Sequence, residues 1–396
     1  MDRALGDLTV IDLTRVLAGP YATMMLADMG ARVIHVEMPL TGDDSRGFGP
    51  YVNGESCYFT GINRNKEGLT LNLKSDGGKE ILKKLILNAD IVVENFKPGT
   101  MEKLGFGYED IVKWKPNIIY AACSGYGHTG PFANLPAYDV IVQAMGGLMS
   151  ITSNVANGEP TRVGASIGDI LAGIFTCVGI LTAVHHKDKT GEGQKVDVGM
   201  LDCQVAILEN AINRYFITGE TPRPVGNRHP SITPFEAFKC AGDEYVVLAA
   251  GNDKLWAELC VLFNREDLIS DPRFKTNALR TDNHEELKPI MDEILSAKTS
   301  DEWVKLLTEN NIPCTTINSV DKVVKNPQVL ARDMIVEVEH PLVGAQKLAG
   351  IPIKFSKTPG TIHKPAPMLG EDNETILKEL GFSDDEVKGF KADGTI

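Results

Sequence analysis

The chain has 396 residues, of which 43% are hydrophobic and 23% are charged, a balance typical of a globular protein with a sizeable core. Its net charge of −13 argues against a general nucleic-acid-binding protein, because such a protein needs a basic face to neutralise phosphates. The seven cysteines are scattered along the chain, which favours reduced thiols over a disulfide framework or a zinc site. We therefore expect a cytoplasmic protein that binds neither nucleic acid nor a metal ion.

Neither a signal peptide nor a membrane segment is predicted. The amino-terminal stretch carries Asp2, Arg3, Asp7 and Asp12, and such charges are not found in the apolar core of a signal peptide. The uncharged run over residues 170–184 has fifteen residues, fewer than the ~20 that a helix needs to cross a bilayer. We therefore expect no association with a membrane.

The first 200 residues alternate apolar runs of strand length with segments of helical periodicity. The predicted strands and helices, in chain order, are strand 8–13, helix 20–29, strand 32–37, helix 77–88, strand 89–93 and strand 117–123. Such alternation predicts an α/β fold with a largely parallel sheet and helices on both faces. The large domain is therefore expected to be Rossmann-like.

The composition of the sequence changes after residues 202–215. The Pro- and Gly-rich segment 221–230 is incompatible with a regular element, and beyond it lie a predicted strand and two amphipathic helices. A further strand and a closing helix are predicted near the carboxyl terminus. We expect a large domain over residues 1–200, a linker over 201–224, a small inserted α+β domain over 225–320, and a return to the large domain over 321–396.

Asp169 is the most informative single residue of the chain. It lies between a glycine-containing segment and the uncharged run 170–184, at the expected start of a buried helix. Asp is a favoured helix N-cap residue, and the helix dipole stabilises a negative charge at that end. The same environment would keep a partly desolvated carboxylate ionised, and an ionised carboxylate can attack an activated carbonyl. Position alone favours a cap, and a nucleophile is the alternative.

Two other segments have the composition of ligand-binding loops. Residues 125–130 match G-x-G-x-x-G after an apolar strand, but Pro131 and Pro136 follow closely, so the helix that a dinucleotide site requires is not expected. Residues 95–99 (Asn-Phe-Lys-Pro-Gly) and then Lys103 follow another predicted strand. Ligands bind at the carboxyl ends of parallel strands, so the two lysines could meet phosphates, although exposed lysines are usually only solvated.

Taken together, the motifs of the chain form an ordered series. They are Arg15-Val-Leu-Ala-Gly-Pro20, Glu94-Asn-Phe-Lys-Pro-Gly99, Ser124-Gly-Tyr-Gly-His-Thr-Gly-Pro131, Pro136-Ala-Tyr-Asp139, Ile167-Gly-Asp169, Thr190-Gly-Glu-Gly-Gln-Lys-Val-Asp197 and Gly226-Asn-Arg-His229. Over about residues 1–370 this series resembles the class III CoA-transferase family, which includes formyl-CoA:oxalate and carnitine CoA-transferases. The resemblance implies that residues 1–200 bind CoA and that two ring-shaped subunits are threaded through each other as an interlocked homodimer. It also implies small-molecule acyl-CoA and carboxylate substrates, with no tightly bound cofactor.

The resemblance also implies roles for individual residues. Asp169 occupies the position of the family's nucleophile, which forms an aspartyl anhydride and then an aspartyl-CoA thioester, and Gly251 and Asn252 fall on the family's mobile glycine loop. The positions that correspond to CoA contacts are Val16, Leu71, Asn72, Asn95, Phe96, Lys97, Lys103, Tyr138 and Met200. For Val16, Leu71, Phe96 and Met200, plain core packing is the alternative.

Two departures from the family pattern concern the substrates. Leu17 stands where formyl-CoA:oxalate transferases have Gln, so oxalate specificity is not expected. Met38 stands where some relatives have a basic CoA contact, which leaves that phosphate interaction unassigned. Arg46 and the loop 226–229 are candidates for the acceptor carboxylate, with a surface role as the alternative.

Besides a dehydrogenase, for which the dinucleotide site above is not expected, two alternative functions remain. An α-methylacyl-CoA racemase of the same fold needs a base on each side of the α-carbon. Those enzymes have His where this chain has Tyr138 and Glu where it has Asn252, and neither replacement is a base at neutral pH. A catalytically silent CoA-binding protein is disfavoured because Asp169 is in place. The sequence therefore predicts an acyl-CoA:carboxylate CoA-transferase and leaves the donor and the acceptor unidentified.

Overall fold

The computed structural model describes residues 3–396. Its strands are β1 (Thr9–Asp12), β2 (Arg32–Glu37), β3 (Tyr51–Val52), β4 (Glu55–Ser56), β5 (Lys66–Thr70), β6 (Ile91–Glu94), β7 (Ile119–Ser124), β8 (Lys195–Gly199), β9 (Phe235–Lys239), β10 (Tyr245–Ala249), β11 (Cys314–Thr316), β12 (Ile335–His340) and β13 (Gly344–Ala349). Its helices are α1 (Ala18–Asp28), α2 (Cys57–Ile62), α3 (Asp76–Leu87), α4 (Thr100–Leu104), α5 (Tyr108–Ile111), α6 (Asp139–Met145), α7 (Ile167–Thr190), α8 (Met200–Ala206), α9 (Asn210–Thr218), α10 (Asp253–Leu262), α11 (Asp267–Ser270), α12 (Asn277–Asp282), α13 (His284–Leu295), α14 (Ser300–Glu309), α15 (Val320–Val323), α16 (Pro327–Ala331), α17 (Asn373–Glu379) and α18 (Asp384–Ala392).

The chain forms two compact units. The first comprises residues up to Leu148, Arg162–Asn213 and Gln328–Ile396, and the second comprises Met149–Thr161 and Arg214–Pro327. The expected linker over 201–224 is instead mostly helical, because α8 and α9 occupy most of it. Residues 200–218 contain no Gly or Pro, so the helix-breaking composition begins only at Gly219.

The first unit is built on a parallel sheet, as predicted. Among the described residues this sheet has six strands in the order β5-β2-β1-β6-β7-β8, and every neighbouring pair is parallel. Alternate residues point to opposite faces of a strand, so Val10 and Val33 belong to a core cluster with α1 and α7, while Ile11 and Ile34 belong to one with α3 and α17. The carboxyl ends of β1, β2, β6 and β7 therefore lie along one edge of the sheet.

The outer edge of β5 is closed by the carboxyl-terminal segment. The backbone N–H of Gly68 donates to the Asp372 carboxylate at 2.8 Å, and the N–H of Thr70 donates to the Asn373 side chain at 2.9 Å. These bonds satisfy backbone donors that an edge strand would otherwise expose. Residues near both ends of the chain thus contribute to the same sheet.

Helix α7 carries Asp169 in its first turn and packs closely against α1. A Cβ atom added at Gly173 would lie 2.7 Å from the Ala18 carbonyl oxygen, so only glycine permits this approach. Among residues 3–396, α7 is the one helix long and apolar enough to cross a membrane by length and composition alone, and 39% of its apolar window is buried. The length argument from residues 170–184 was therefore wrong, because the helix has 24 residues.

The second unit contains an antiparallel sheet of order β11-β10-β9. Its core is rich in aromatic residues, and Trp256, Phe274 and Trp303 are each at most 4% exposed. Helix α14 begins with a capping box in which the Thr299 and Glu302 side chains bond each other's backbone N–H groups, an arrangement that satisfies two otherwise unpaired donors. This unit carries the Gly251-Asn252 segment between β10 and α10.

Candidate active site

The loops at the carboxyl edge of the parallel sheet and the start of α7 enclose a cavity of about 200 Å³, here called the Asp169 cavity. It is lined by Arg15, Val16, Leu17, Ala18, Asp44, Asn95, Phe96, Lys97, Pro98, Cys123, Ser124, Gly125, Leu135, Pro136, Ala137, Tyr138, Asp169 and Met200. Seven of the sequence-predicted site residues are therefore brought together around one space. They are Val16, Asn95, Phe96, Lys97, Tyr138, Asp169 and Met200.

A second cavity of about 260 Å³, here called the Met38 cavity, shares a wall with the first. Arg15, Asp44 and Phe96 line both spaces. The surface of the Met38 cavity is mainly apolar, with Leu71 and Leu73 among its lining residues. Charged side chains also line it, namely Arg15, Glu37, Asp43, Asp44 and Lys74. A long ligand can thus contact both spaces across the shared wall.

Two predicted CoA contacts lie outside the lining of either cavity. Asn72 is partly buried, and its side-chain oxygen accepts a hydrogen bond from the Lys74 backbone at 3.1 Å. Lys103 is exposed on α4, the helix that begins next to the cavity residue Pro98. Their contact with CoA stays a prediction.

Asp169 is the third residue of α7 and does not cap it. The helix begins at Ile167 after Ser166, whose side chain also makes no capping bond. The backbone N–H of Gly168 instead donates to Asp139 Oδ1 at 2.8 Å, so a carboxylate from α6 serves the start of α7. Within the described part of the chain, no hydrogen bond engages the Asp169 carboxylate, which leaves its oxygens available to a ligand.

The electrostatic surroundings of Asp169 oppose its ionisation. Burial, and then the neighbouring Asp139 carboxylate, raise the pKa of Asp169 to about 7. The sequence predicted that the helix start would keep this carboxylate ionised, whereas burial and the like charge of Asp139 favour its protonated form. A buried carboxylate with a pKa near neutral pH has the property expected of a chemical reagent, since perturbed pKa values cluster at functional sites.

Asp139 bonds the segment before α7 and the first turn of that helix. Its carboxylate accepts hydrogen bonds from Gln143 Nε2 at 2.9 and 3.1 Å and forms an ion pair with Arg162 at 3.2 Å. Gln143 Oε1 in turn accepts the backbone N–H of Val163 at 2.9 Å. Asp139 and Gln143 therefore hold both the segment before α7 and its first turn.

The turn from Arg15 to Leu17 forms one wall of the Asp169 cavity. Val16 has a φ of 69°, a left-handed conformation that is costly for a β-branched residue. Its N–H donates to both oxygens of Asp43 at 3.1 Å. The Asn95 side chain bonds both the N–H and the carbonyl of Arg15, at 2.9 and 2.8 Å. The amide of Asn95 is thus used to lock this turn to the loop after β6.

The loop after β6 is anchored by a buried carboxylate. Glu94 accepts the Phe96 N–H at 2.8 Å and the Tyr120 hydroxyl at 3.2 Å, and burial raises the pKa of Glu94 to about 7. His128 lies on the other side, with Nε2 3.6 Å from Glu94 Oε1 and Nδ1 3.0 Å from Lys195 Nζ. An ammonium group only donates, so Nδ1 of His128 accepts and Nε2 carries the proton towards Glu94.

The G-x-G-x-x-G segment forms a loop, as predicted. The helix that follows it, α6, begins only at Asp139, so no helix start is available at residues 125–130 to hold a pyrophosphate. The loop is held instead by Asp197, whose carboxylate accepts the His128 backbone N–H at 3.0 and 3.2 Å.

Arg46 is not available to a substrate carboxylate, so that candidate was wrong. Its guanidinium bonds both oxygens of Glu37 at 2.7 and 2.8 Å and lies 3.5 Å from Glu55. It is also stacked 3.7 Å over the Phe59 ring. The arginine is only 11% exposed, and its donors are used by the protein.

The phenol of Tyr58 interacts electrostatically with Asp169, which the sequence reasoning missed. Burial, followed by the charges of Asp169, Asp43 and Asp139, raises the pKa of its phenol to about 12. The phenol therefore stays protonated near these carboxylates and is a hydrogen-bond donor. No motif in the sequence marks Tyr58, because its relation to Asp169 depends entirely on how α2 packs.

The predicted glycine-loop residues lie in the second unit. Asn252 caps α10 by accepting the Leu255 N–H at 2.8 Å, and a Cβ atom added at Gly251 would lie 1.9 Å from the Ile232 side chain. Asn252 thus has a structural use, and the role of both residues at the active site stays a prediction. Among residues 3–396, no group of His, Cys, Asp and Glu side chains has an arrangement that could hold a metal ion.

Comparisons with known proteins point to one family. Residues 5–373 match CoA-transferase family III. The acetyl-CoA:oxalate CoA-transferase of Acetobacter aceti is 40% identical, over 94% of this chain and 95% of that protein. The human succinyl-CoA:glutarate CoA-transferase is 39% identical, over 98% of this chain and 88% of that protein. The succinyl-CoA:mesaconate CoA-transferase of Haloarcula marismortui is 40% identical, over 96% of each chain.

A solved structure shows the same fold. The crystal structure of a CAIB/BAIF family protein from Brucella suis superimposes with a TM-score of 0.85 at 34% identity, covering 96% of this chain and 100% of that one. The family match spans nearly the whole chain, and the relatives cover almost all of it at about 40% identity. The chain therefore belongs to CoA-transferase family III and is a class III CoA-transferase.

Proposed function

We propose that the protein moves CoA from a donor acyl-CoA to an acceptor carboxylic acid through covalent intermediates on Asp169. An ionised Asp169 oxygen attacks the thioester carbonyl of the donor, the C–S bond breaks, and CoA leaves as a thiolate. The thiolate then attacks the Asp169 carbonyl of the resulting anhydride, which gives an aspartyl-CoA thioester and releases the donor acid. Each step conserves one activated acyl group, so no further energy source is needed.

The second half of the cycle reverses these steps with a new acid. The acceptor carboxylate attacks the aspartyl thioester and expels the CoA thiolate, which forms a second anhydride. The thiolate attacks the acceptor carbonyl of that anhydride, so the acceptor leaves as a CoA thioester and Asp169 is again a carboxylate. The observation that carries the proposal is a carboxylate with no hydrogen bond in the described chain, with a pKa raised to about 7 by burial, on the wall of a cavity.

Water exclusion and CoA binding follow from the same cavities. Leu17, Ala137 and Met200 give the Asp169 cavity apolar walls, which favours transfer over hydrolysis of the reactive intermediates. The apolar Met38 cavity suits the adenine end of CoA, while Lys97 and Lys103 supply positive charge for its phosphates. CoA is then a substrate, and we propose that no other cofactor is tightly bound.

For the acceptor we propose a short dicarboxylic acid. Several relatives are named for such acids, including glutarate, mesaconate and D-citramalate. Arg15 lies in the Asp169 cavity, and its only ion-pair partner in the described chain, Asp44, is 59% exposed. Exposed pairs are weak, so the guanidinium can exchange Asp44 for the carboxylate that does not react.

A racemase function is less well supported. Racemisation needs two bases, whereas Tyr138 is a phenol that is 72% exposed and the Asn252 side chain is a helix cap. Incubation of the protein with a 2-methylacyl-CoA in deuterium oxide would reveal racemase activity as deuterium at the α-carbon. We expect no such incorporation.

We further propose that the protein works as an interlocked homodimer in the cytoplasm. Helix α7 exposes the apolar residues Phe175 and Val178, which are 41% and 54% exposed, and Phe216 of α9 is 78% exposed. A second copy would bury such residues, since exposed apolar patches mark interaction surfaces. Light scattering coupled to size exclusion should give twice the mass of one chain, and a monomer at assay concentration would contradict the proposal.

The decisive experiment combines transfer and trapping. Succinyl-CoA is offered with glutarate, butyrate or benzoate, and the products are followed by mass spectrometry. The unchanged protein should form glutaryl-CoA, and hydroxylamine added with donor alone should modify a peptide containing Asp169. The Asp169→Asn variant should lose transfer and modification, whereas Asp188→Asn, an exposed change on the same helix, should keep both. Normal transfer by Asp169→Asn would refute the mechanism.

A further inference from the structure

A cluster of buried charged residues is connected to the Val16 turn, and its members Asp12, His35 and Lys66 line neither cavity. Asp12, His35 and Lys66 are each 0% exposed and come from the neighbouring strands β1, β2 and β5. Asp12 Oδ2 lies 2.9 Å from Lys66 Nζ and 3.1 Å from His35 Nδ1. Because buried charges are costly unless they are paired, each member of this cluster depends on the others.

The opposite nitrogen of His35 faces a second carboxylate. His35 Nε2 lies 3.7 Å from Asp43 Oδ2, and the Asp43 side chain is 1% exposed. Asp43 is the residue that accepts the Val16 N–H with both oxygens, and it also accepts the Ser45 N–H at 2.7 Å. Hydrogen bonds join Lys66 and His35 to Asp12, and others join Asp43 to the Val16 N–H. The 3.7 Å contact from His35 Nε2, which has no hydrogen-bond partner, to Asp43 links the two groups.

The charges of this cluster balance only in one protonation state of His35. Asp12 accepts hydrogen bonds from both Thr14 and Thr23. Burial opposes the ionisation of Asp12, but Lys66 and His35 hold its pKa well below its usual range. With Asp12 and Asp43 negative and Lys66 positive, a positive His35 brings the sum of the four charges to zero.

The other groups that face His35 are consistent with this state. Glu37 on the same strand is already neutralised by Arg46, and the Phe59 ring of α2 lies 6.0 Å from the imidazole and brings no charge. A neutral imidazole has one N–H, so it could serve only one of the two carboxylates. An imidazolium has an N–H on both nitrogens, so it can donate a hydrogen bond to Asp12 at 3.1 Å and form an ion pair with Asp43 at 3.7 Å.

We propose that His35 is a positioning residue, an imidazolium that ties Asp43 to Asp12 and so keeps Val16 in its left-handed conformation on the wall of the Asp169 cavity. This inference rests on the proposed function, because the wall it shapes is the one that would receive the donor thioester. Left-handed backbone at a β-branched residue persists only where its surroundings enforce it. Loss of the His35 contact should let the turn from Arg15 to Leu17 relax and disorder the wall before substrate binds.

The first test separates binding from chemistry. His35→Gln keeps a single amide donor and should raise KM for succinyl-CoA by about tenfold, while kcat changes by less than about twofold. Calorimetric titration with CoA itself should show a matching loss of affinity. His284→Gln is the control. His284 is also buried and is paired with a carboxylate, that of Glu236 at 2.7 Å, but it lies in the second unit. This variant should leave KM unchanged.

The second test asks whether a change in the conformation of Val16 causes the raised KM of His35→Gln. Glycine adopts positive φ without strain, so Val16→Gly in the His35→Gln background should bring KM back to within about threefold of Val16→Gly alone. An unchanged KM in His35→Gln, or a double variant no better than His35→Gln, would overturn the proposal.

A third measurement does not depend on any variant folding. In ¹⁵N-histidine-labelled protein the His35 ring should show protons on both nitrogens near neutral pH, and a ring with one proton would overturn the inference. The ring protons and CoA affinity are measured without turnover. Absence of CoA transfer by the unchanged protein would count against the proposed function, whereas a singly protonated His35 ring would count against this inference, so the two failures are distinguishable.

Discussion

Removal of the Asp139 charge should make Asp169 a better nucleophile at low pH. Burial is the larger cause of the raised pKa of Asp169, and the Asp139 carboxylate is the second. Asp139→Asn keeps an oxygen that can accept the Gly168 N–H and removes the negative charge. Because a like charge favours the protonated form, its removal lowers the pKa of Asp169.

The size of the shift in the pKa of Asp169 follows from the removal of the Asp139 charge. A neighbouring like charge at a partly buried site contributes about 1.4 kcal/mol, which corresponds to one pKa unit. The pKa of Asp169 would then fall from about 7 to about 6. At pH 6 the ionised fraction would rise from about one tenth to about one half, so kcat/KM should increase about fivefold. Above pH 8 the carboxylate is ionised in both proteins and the rates should converge.

The assay is the pH dependence of kcat/KM for succinyl-CoA with a saturating acceptor between pH 5 and 9. The ionisation of the substrates is the same for every variant, so only the displacement between profiles is interpreted. Arg162→Gln is the matched opposite change, because loss of the cation paired with Asp139 should move the midpoint above that of the unchanged protein. Midpoints that coincide, or that move in the same direction in both variants, would refute the electrostatic account.

Three further predictions concern stability. The raised pKa of Asp169 means that its ionisation opposes folding above the ordinary carboxyl pKa, so Asp169→Asn should raise the free energy of unfolding by about 2–4 kcal/mol at pH 8. That gain should shrink as the pH falls towards 4, and a pH-independent gain in urea titrations would contradict it. Glu37→Gln breaks a buried ion pair and should lower the free energy of unfolding by about 3 kcal/mol. Glu258→Gln breaks an exposed pair and should lower it by less than about 0.5 kcal/mol. Equal losses of stability would refute the burial argument. Gly173→Ala forces a Cβ against the Ala18 carbonyl and should lower stability by about 1–3 kcal/mol, while Gly389→Ala, which meets open space in α18, should be neutral or stabilising; calorimetry of both variants checks the contrast.

The central strands of the sheet could be predicted from the sequence, but its edges could not. Residues 8–13 and 32–37 are apolar runs bounded by turns, and β1 and β2 lie within one residue of those bounds. Strands β5 and β8 were missed because Lys66 and Glu67, and then Lys195 and Asp197, interrupt the apolar pattern. Lys66 is nevertheless fully buried, since its ammonium is neutralised by a carboxylate two strands away, and no local pattern reveals that.

The site residues likewise divide into those that local motifs predict and those whose properties depend on contacts in the folded chain. The motifs identified most of the residues that line the Asp169 cavity. The motifs that begin at Arg15, Glu94 and Ser124 lie at the ends of parallel strands, and parallel strands end at one edge of the sheet. The interpretation of Arg46 as a substrate contact failed because its partner, Glu37, belongs to the preceding strand and reaches it only in the folded chain. The pKa of Asp169 likewise depends on Asp139 and on burial, and neither its value nor the nearby phenol of Tyr58 could be read from sequence order.

The closure of the β5 edge by Asp372 and Asn373 has a consequence for how the protein is synthesised. The nascent chain emerges amino terminus first, so β5 waits for a partner that lies 304 residues further along the chain. Residues 214–327 of the second unit are complete before that partner appears and can fold earlier. A translation stall before residue 372 would leave the N–H groups of Gly68 and Thr70 exposed. Such a strand edge invites aggregation, so the chain needs protection until residues 372 and 373 have been made.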